Sequence, residues 1–168
     1  MSRRSAAVTL ALAVVVSACT SSPGRERPVP LKAGPSHVPV TKVTDGDTIH
    51  VTYQGRDERV RLIGVDTPEV PWYGGHGECF GPEAGRYTSS RLAGATVRLD
   101  FDIGLRDRYG RLLAYVYVGD ELFNLTLVRL GYARADPVPP DTRMAAAFAA
   151  AQADARASER GLWSACPG

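Results

Sequence analysis

Thr44-Asp45-Gly46-Asp47-Thr48, followed by Arg61-Leu62-Ile63-Gly64-Val65-Asp66-Thr67-Pro68-Glu69, is the stretch that decides how this chain folds. Between the two pieces, Thr48-Ile49-His50-Val51-Thr52-Tyr53 alternates as a half-buried strand does. Gln54-Gly55-Arg56-Asp57 reads as a hairpin-like turn, and Arg59 to Val65 as the strand that returns from it. Asp45-Gly46-Asp47 enters the first strand. Asp66-Thr67-Pro68 ends the second, because the residue before a proline is pushed out of helical geometry. If the two strands pair, the carboxylates of Asp45, Asp47, Asp66 and Glu69 can converge on one point. Like charges stay together only with a cation, protons or a nearby arginine. Oxygen donors with no His or Cys beside them suit a hard ion such as Ca²⁺ or Mg²⁺. The plainer alternative is two acidic turns in a small β-protein.

Arg61 is the second anomaly. It interrupts a run, Val60 to Val65, that otherwise suits a buried strand. A guanidinium there costs free energy unless it is paired. A phosphate or the acidic cluster would supply the partner.

Outward from this stretch, Val38 to Val43 reads as the opening strand of the domain, with Pro39 near its start where a missing donor is tolerated. Pro71 to Gly81 is a Gly-rich loop with Trp72, Tyr73, His76, Glu78 and Cys79. Its aromatics can stack on a base or cover the core edge, and its His, Glu and Cys give only weak grounds for zinc. Pro82 and Glu83 suit the start of a helix to about Leu92, closed by Gly94. Thr96 to Phe101 is the fourth strand and Leu112 to Val118 the fifth, separated by the turn Asp107-Arg108-Tyr109-Gly110-Arg111. Asn124 is a candidate N-cap for a short helix through Leu130, closed by Gly131. A Pro-rich connector, Ala135 to Asp141, leads to an Ala-rich helix from Asp141 or Thr142 to about Ser158, with Met144, Phe148, Ala151 and Ala155 on one stripe. Gly161 is expected to cap it. Three strands, a helix, two strands and two helices make an α+β chain built on a five-stranded OB-type barrel of antiparallel strands. That architecture alone decides little about function.

The chain has 168 residues, room for one ordinary domain with small extras. Its net charge of +2 comes from 20 basic against 18 acidic residues, and Arg3 and Arg4 account for the excess. A broad cationic field is therefore excluded, and any nucleic-acid contact must be local. Ser2-Arg3-Arg4, the apolar run Ala6 to Val16 and Val16-Ser17-Ala18-Cys19 read as a signal peptide over residues 1–18. Cysteine at the first position after the cut resembles a bacterial lipoprotein signal, in which Cys19 carries lipid; an ordinary secretory signal is the alternative. Residues 19–37, rich in Ser, Pro and Gly, read as a flexible tether, and the domain as residues 38–168. Export to the outer face of the cell membrane, or secretion, leaves Cys79 and Cys166 in an oxidising setting. They form a disulfide there or stay as two buried thiols.

The quoted motifs, together with Gly81-Pro82-Glu83-Ala84, Asp107 to Val116, Asn124 to Ala133 and Gly161-Leu162-Trp163, resemble the staphylococcal nuclease, or thermonuclease, family. The resemblance runs from about Val40 to Trp163. It implies a hydrolase that cuts DNA and RNA phosphodiesters at the 5′-oxygen side, acts as a monomer and uses Ca²⁺. The ion would be held by Asp47, Asp66 and the Thr67 backbone carbonyl, with Asp45 and Glu69 acting through water. Glu69 would serve as general base or orient the water, Arg61 and Arg111 would clamp the phosphate, and Tyr109 would contact the nucleotide. Pro137 stands near the place of an aromatic nucleotide contact of the family prototype, and the lysines of that surface are largely absent. A non-catalytic OB-type module that binds nucleic acid or protein is the alternative, and an enzyme on another phosphodiester a third reading.

Overall fold

The computed structural model describes residues 34–71 and 77–166. The signal peptide, Cys19, most of the tether, and Trp72, Tyr73 and His76 lie outside the described residues. No described helix is long and apolar enough to cross a membrane.

Five strands form the barrel: β1 (Val38–Val43), β2 (Thr48–Tyr53), β3 (Arg56–Leu62), β5 (Thr96–Asp100) and β6 (Leu112–Val118). They run in the order β3-β2-β1-β5-β6, and β3 pairs with β6 to close the ring. The expectation of purely antiparallel strands fails at that seam, where Val60, Arg61 and Leu62 lie parallel to Leu112, Leu113 and Ala114. Closure requires it, because β3 and β6 both leave the same end of the barrel. Inside, Ile49, Val51, Val60, Leu62, Leu99, Leu112, Ala114 and Val116 are buried. Burying each aliphatic side chain is worth about 1.5–3 kcal/mol, and the barrel fills its interior with them.

The strand expected to continue to Val65 breaks at Ile63. Gly64 has a positive φ of 77°, and a separate short strand, β4 (Gly64–Asp66), follows. It pairs with β8 (Arg134–Asp136), which sets Asp66 opposite Arg134. β7 (Glu121–Leu122) extends the sheet beside β6. The helices are α1 (Gly81–Leu92), α2 (Phe123–Arg129), α3 (Ala145–Ala157) and a short α4 (Leu162–Ala165). Three were expected. Gly161 precedes α4 rather than capping α3, which ends at Ala157.

Asn124 is not an N-cap. It lies inside α2, fully buried, where its amide donates to the Ile63 and Ala114 carbonyls at 3.0 and 3.2 Å and accepts from the Val116 amide at 2.8 Å. It thus satisfies backbone groups left open where β3 gives way to β4, a task worth more than a cap in a dry interior. The folded part also begins earlier than residue 38: the Leu99 amide donates to the Pro35 carbonyl at 3.1 Å, which lays residues 34–35 along β5.

Candidate active site

The two-residue period of β3 explains Arg61. Val60 and Leu62 point into the barrel, so Arg61 between them points to the opposite side. There its guanidinium bonds Asp47 through Nη1, Asp66 Oδ1 at 3.0 Å through Nη2, and the Val65 carbonyl at 3.1 Å. The two acidic turns are thus joined by the arginine that the sequence singled out. Pairing of Thr48 with Arg61 across β2 and β3 fixes the register, and the Leu62 amide donates to the Asp47 carbonyl at 2.9 Å.

Each carboxylate is placed by its own turn. Asp45 Oδ1 accepts the Asp47 and Thr48 amides at 3.0 and 2.7 Å, the Asx turn that starts β2. Asp47 is 2% exposed. Besides Arg61, its Oδ1 accepts the Thr48 hydroxyl at 3.2 Å, while its Oδ2 accepts the Thr67 amide at 2.8 Å and the Thr67 hydroxyl at 2.9 Å. The turns touch: a Cβ on Gly46 would lie 2.6 Å from Thr67 Oγ1, so only glycine permits the approach. Asp66 is about half exposed, and Glu69 is exposed.

The electrostatics follow from this crowding. Burial raises the Asp47 carboxyl, opposed by Arg61, reinforced by Asp45 and lowered again by the bonds from Thr67. Burial also raises Glu69, reinforced by Asp47 and Asp66 and opposed by Arg61. One guanidinium therefore does not neutralise the cluster. An all-oxygen donor set short of positive charge is the chemistry that a hard divalent cation fits. Among the described residues, no three His, Cys, Asp or Glu side chains already converge as ligands. The lone-pair sites of Asp47 are filled by four protein donors. A cation at Asp47 must displace one of them. Thr67 faces Asp47 with its amide and hydroxyl.

Arg61 also lines a cavity of about 510 Å³ whose lining includes Arg111, Tyr109, Asp107, Val138 and Pro139. Arg111 leaves the Asp107–Arg111 turn as β6 begins. Its Nε donates to Asp107 Oδ2 at 2.6 Å and its amide to Asp107 Oδ1 at 2.9 Å. Asp107 is the residue that sequence reasoning quoted without a role. The i,i+4 spacing from Asp107 to Arg111, with a glycine turn between, was the available signal. Tyr109 is 59% exposed, with the Arg108 and Arg111 guanidiniums 4.7 and 5.5 Å from its ring centroid. Pro137 does not line the cavity, whereas Val138, Pro139 and Pro140 do. Away from the cavity, Cys79 and Cys166 are bonded to each other, with Cα atoms 5.8 Å apart, which removes Cys79 from any zinc site.

Comparison with known proteins decides the lineage. Residues 59–165 match the family model described as staphylococcal nuclease homologue. The chain belongs to the staphylococcal nuclease family. Within it, the chain is 43% identical over 124 residues to the thermonuclease of Staphylococcus intermedius, covering 74% of each chain. It is 40% identical over 125 residues to the thermonuclease of Staphylococcus hyicus, again over 74% of each. Endonuclease YncB of Bacillus subtilis is 35% identical over 130 residues, covering 76% of this chain and 62% of that one. As a staphylococcal nuclease homologue, the chain has the closed five-stranded barrel and flanking helices that the order of its strands implied. The matched residues include Arg61, Asp66, Glu69 and Arg111, while Asp45 and Asp47 lie before the matched segment.

Proposed function

We propose that this chain is a nuclease that hydrolyses the phosphodiester bonds of DNA and RNA with low sequence specificity, assisted by Ca²⁺. One observation carries the reading: Arg61 bonds both acidic turns and lines the same cavity as Arg111. Acid cluster and anion clamp thus meet at one side chain. The relatives named thermonuclease and endonuclease support the same reaction class.

The residues divide the work as follows. Arg111, held by Asp107, presents its free nitrogens to the cavity as a fixed donor for a phosphate oxygen. Arg61 supplies the second guanidinium, and both bonds strengthen as charge builds in the transition state. Glu69 is exposed to solvent, where a carboxylate can orient a water and take its proton; its raised pKa makes it a better proton acceptor. Asp47 and Asp66 would hold the ion, with the Thr67 carbonyl, while Asp45 keeps the turn in shape. When bound, Ca²⁺ would supply polarisation of the phosphoryl group and positive charge beside Asp47. Tyr109 offers an exposed ring to the nucleotide. The chain is read as a monomer, exported, and anchored through lipid on Cys19. The Cys79–Cys166 bond fits an oxidising compartment.

The rival is a binding module without catalysis. Retention of all four carboxylates and both arginines favours the enzyme. Incubating the mature chain with DNA, RNA and a small phosphodiester, in Ca²⁺ or in EDTA, tests the choice. Degradation in Ca²⁺ that stops with chelator is expected. Binding without cleavage would favour the module, and full activity in EDTA would remove the metal.

A further inference from the structure

Glu69 lies outside every helix and strand, and its backbone is held by a segment only a few residues before α1. The Glu78 amide donates to the Glu69 carbonyl at 2.9 Å, and the Glu69 amide donates to Glu78 Oε2 at 3.2 Å. Gly81 packs so closely that a Cβ there would stand 2.2 Å from the Glu69 carbonyl oxygen. Glu78 thus holds both the amide and the carbonyl of Glu69, and Gly81 packs against that carbonyl. Cys79 sits between them and is bonded to Cys166, 87 residues away in sequence. Cys166 closes α4, whose first amide, Leu162, donates to the Gly131 carbonyl at 2.8 Å. The grip on Glu69 is therefore tied covalently to the opposite end of the chain. A stack of Phe80 on Tyr132, with centroids 5.5 Å apart, is the noncovalent tie beside it. Cys79 is exposed, so a thiol can reach the bond.

We propose that Glu78 and the Cys79–Cys166 bond are positioning elements for Glu69, and that opening the bond lowers turnover while leaving substrate binding intact. This rests on the reading of Glu69 as the water-activating group. Arg61, Arg111 and the cavity, which would bind the substrate, lie on β3, on the turn before β6 and on the connector before α3, none of which carries Cys79 or Cys166. Small displacements of an aligned catalytic group cost up to about 10²-fold in rate. The opening step is thiol–disulfide exchange with a small dithiol. The dithiol gives up two electrons and two protons and closes to its cyclic disulfide, while Cys79 and Cys166 become two thiols.

The test compares the mature chain oxidised, reduced with excess dithiol, and reoxidised, at a temperature well below the melting point of each form. Reduction should lower kcat on DNA about 10- to 100-fold with KM within twofold, and reoxidation should restore it. Glu78→Ala in the oxidised chain, which leaves the bond alone, should lower kcat in the same sense, and Glu78→Gln, which keeps an acceptor oxygen, should recover most of that loss. If the reduced chain does not stay folded, this pair of variants carries the test alone. In Glu69→Gln, reduction should leave the residual rate unchanged, because the group being positioned is gone. An unchanged kcat on reduction, a rise in KM alone, or the same fold loss in Glu69→Gln would each overturn the proposal. Amide exchange gives a readout free of catalysis: reduction should speed exchange of the Glu78 amide. Unchanged exchange overturns the proposed grip. Faster exchange in a chain inactive in every state would support the grip and overturn the role of Glu69 instead.

Discussion

The two walls of the cavity are built differently. On the barrel wall, Arg61 is mostly buried between Asp47, Asp66 and a backbone carbonyl, and Asp47 is wired in turn to Thr48 and Thr67. On the loop wall, made by residues 104–111 and 136–141, Arg111 is held by one turn, through Asp107, beside exposed Tyr109 and Val138. Arg61 therefore has a structural task as well as a chemical one, whereas Arg111 is free to serve the substrate. A buried pair broken from one side leaves a stranded charge, and Asp47, 2% exposed, is cut off from water more fully than Asp107, 17% exposed.

The largest effect that exposes this contrast is expected at Glu69. It is exposed and belongs to neither wall, so Glu69→Ala should lower kcat by about 10²–10⁴-fold with almost no change in melting temperature. A rate within a few fold of the unaltered chain would exclude it as the base. Arg61→Ala and Arg111→Ala should each lower the rate by on the order of 10²-fold or more. Only Arg61→Ala should also destabilise the fold, by about 3–5 kcal/mol, because Asp47 keeps its burial and loses its counter-charge. Denaturant unfolding of both variants separates the two roles. Equal stabilities would mean that the barrel wall is no more committed than the loop wall.

Much of the fold and of the site is legible in the sequence, and most of the parts that are not share one cause. Arg61 stood out because a charge in an apolar strand needs a partner. The barrel followed from alternation in Thr48 to Tyr53 and from the order of strands and helices. The strand break at Ile63, the buried Asn124 and the parallel seam between β3 and β6 depend on contacts distant in sequence, which a local pattern does not carry. Asn124 illustrates it: the same residue type serves as an N-cap or as a bridge between strands, and the choice depends on what lies above it. Asp107 was overlooked for the opposite reason. Its partner is only four residues away, but an acid in a glycine turn is so common that the spacing carried no weight alone.

Asp107 gives the smallest and sharpest difference. Burial would raise its carboxyl, but the bonds from the Arg111 side chain and from the Arg111 and Tyr109 amides outweigh this and hold it below the ordinary carboxylate value. With the folded pKa depressed, its contribution to stability is fully present above the unfolded value of about 3.9. The contribution fades as pH falls through the lower folded value, where the proton removes the charge that orients Arg111. Between about pH 5 and 8, Asp107→Asn should therefore cost a constant amount of stability, on the order of 1 kcal/mol, and a few-fold in rate as Arg111 loses its fixed orientation. Well below that folded value the unaltered chain and the variant should converge in stability, because the acid is protonated in both folded and unfolded chains. A gap that stayed constant into strong acid would mean that Asp107 acts through packing rather than through its charge, and that the loop wall is held as firmly as the barrel wall.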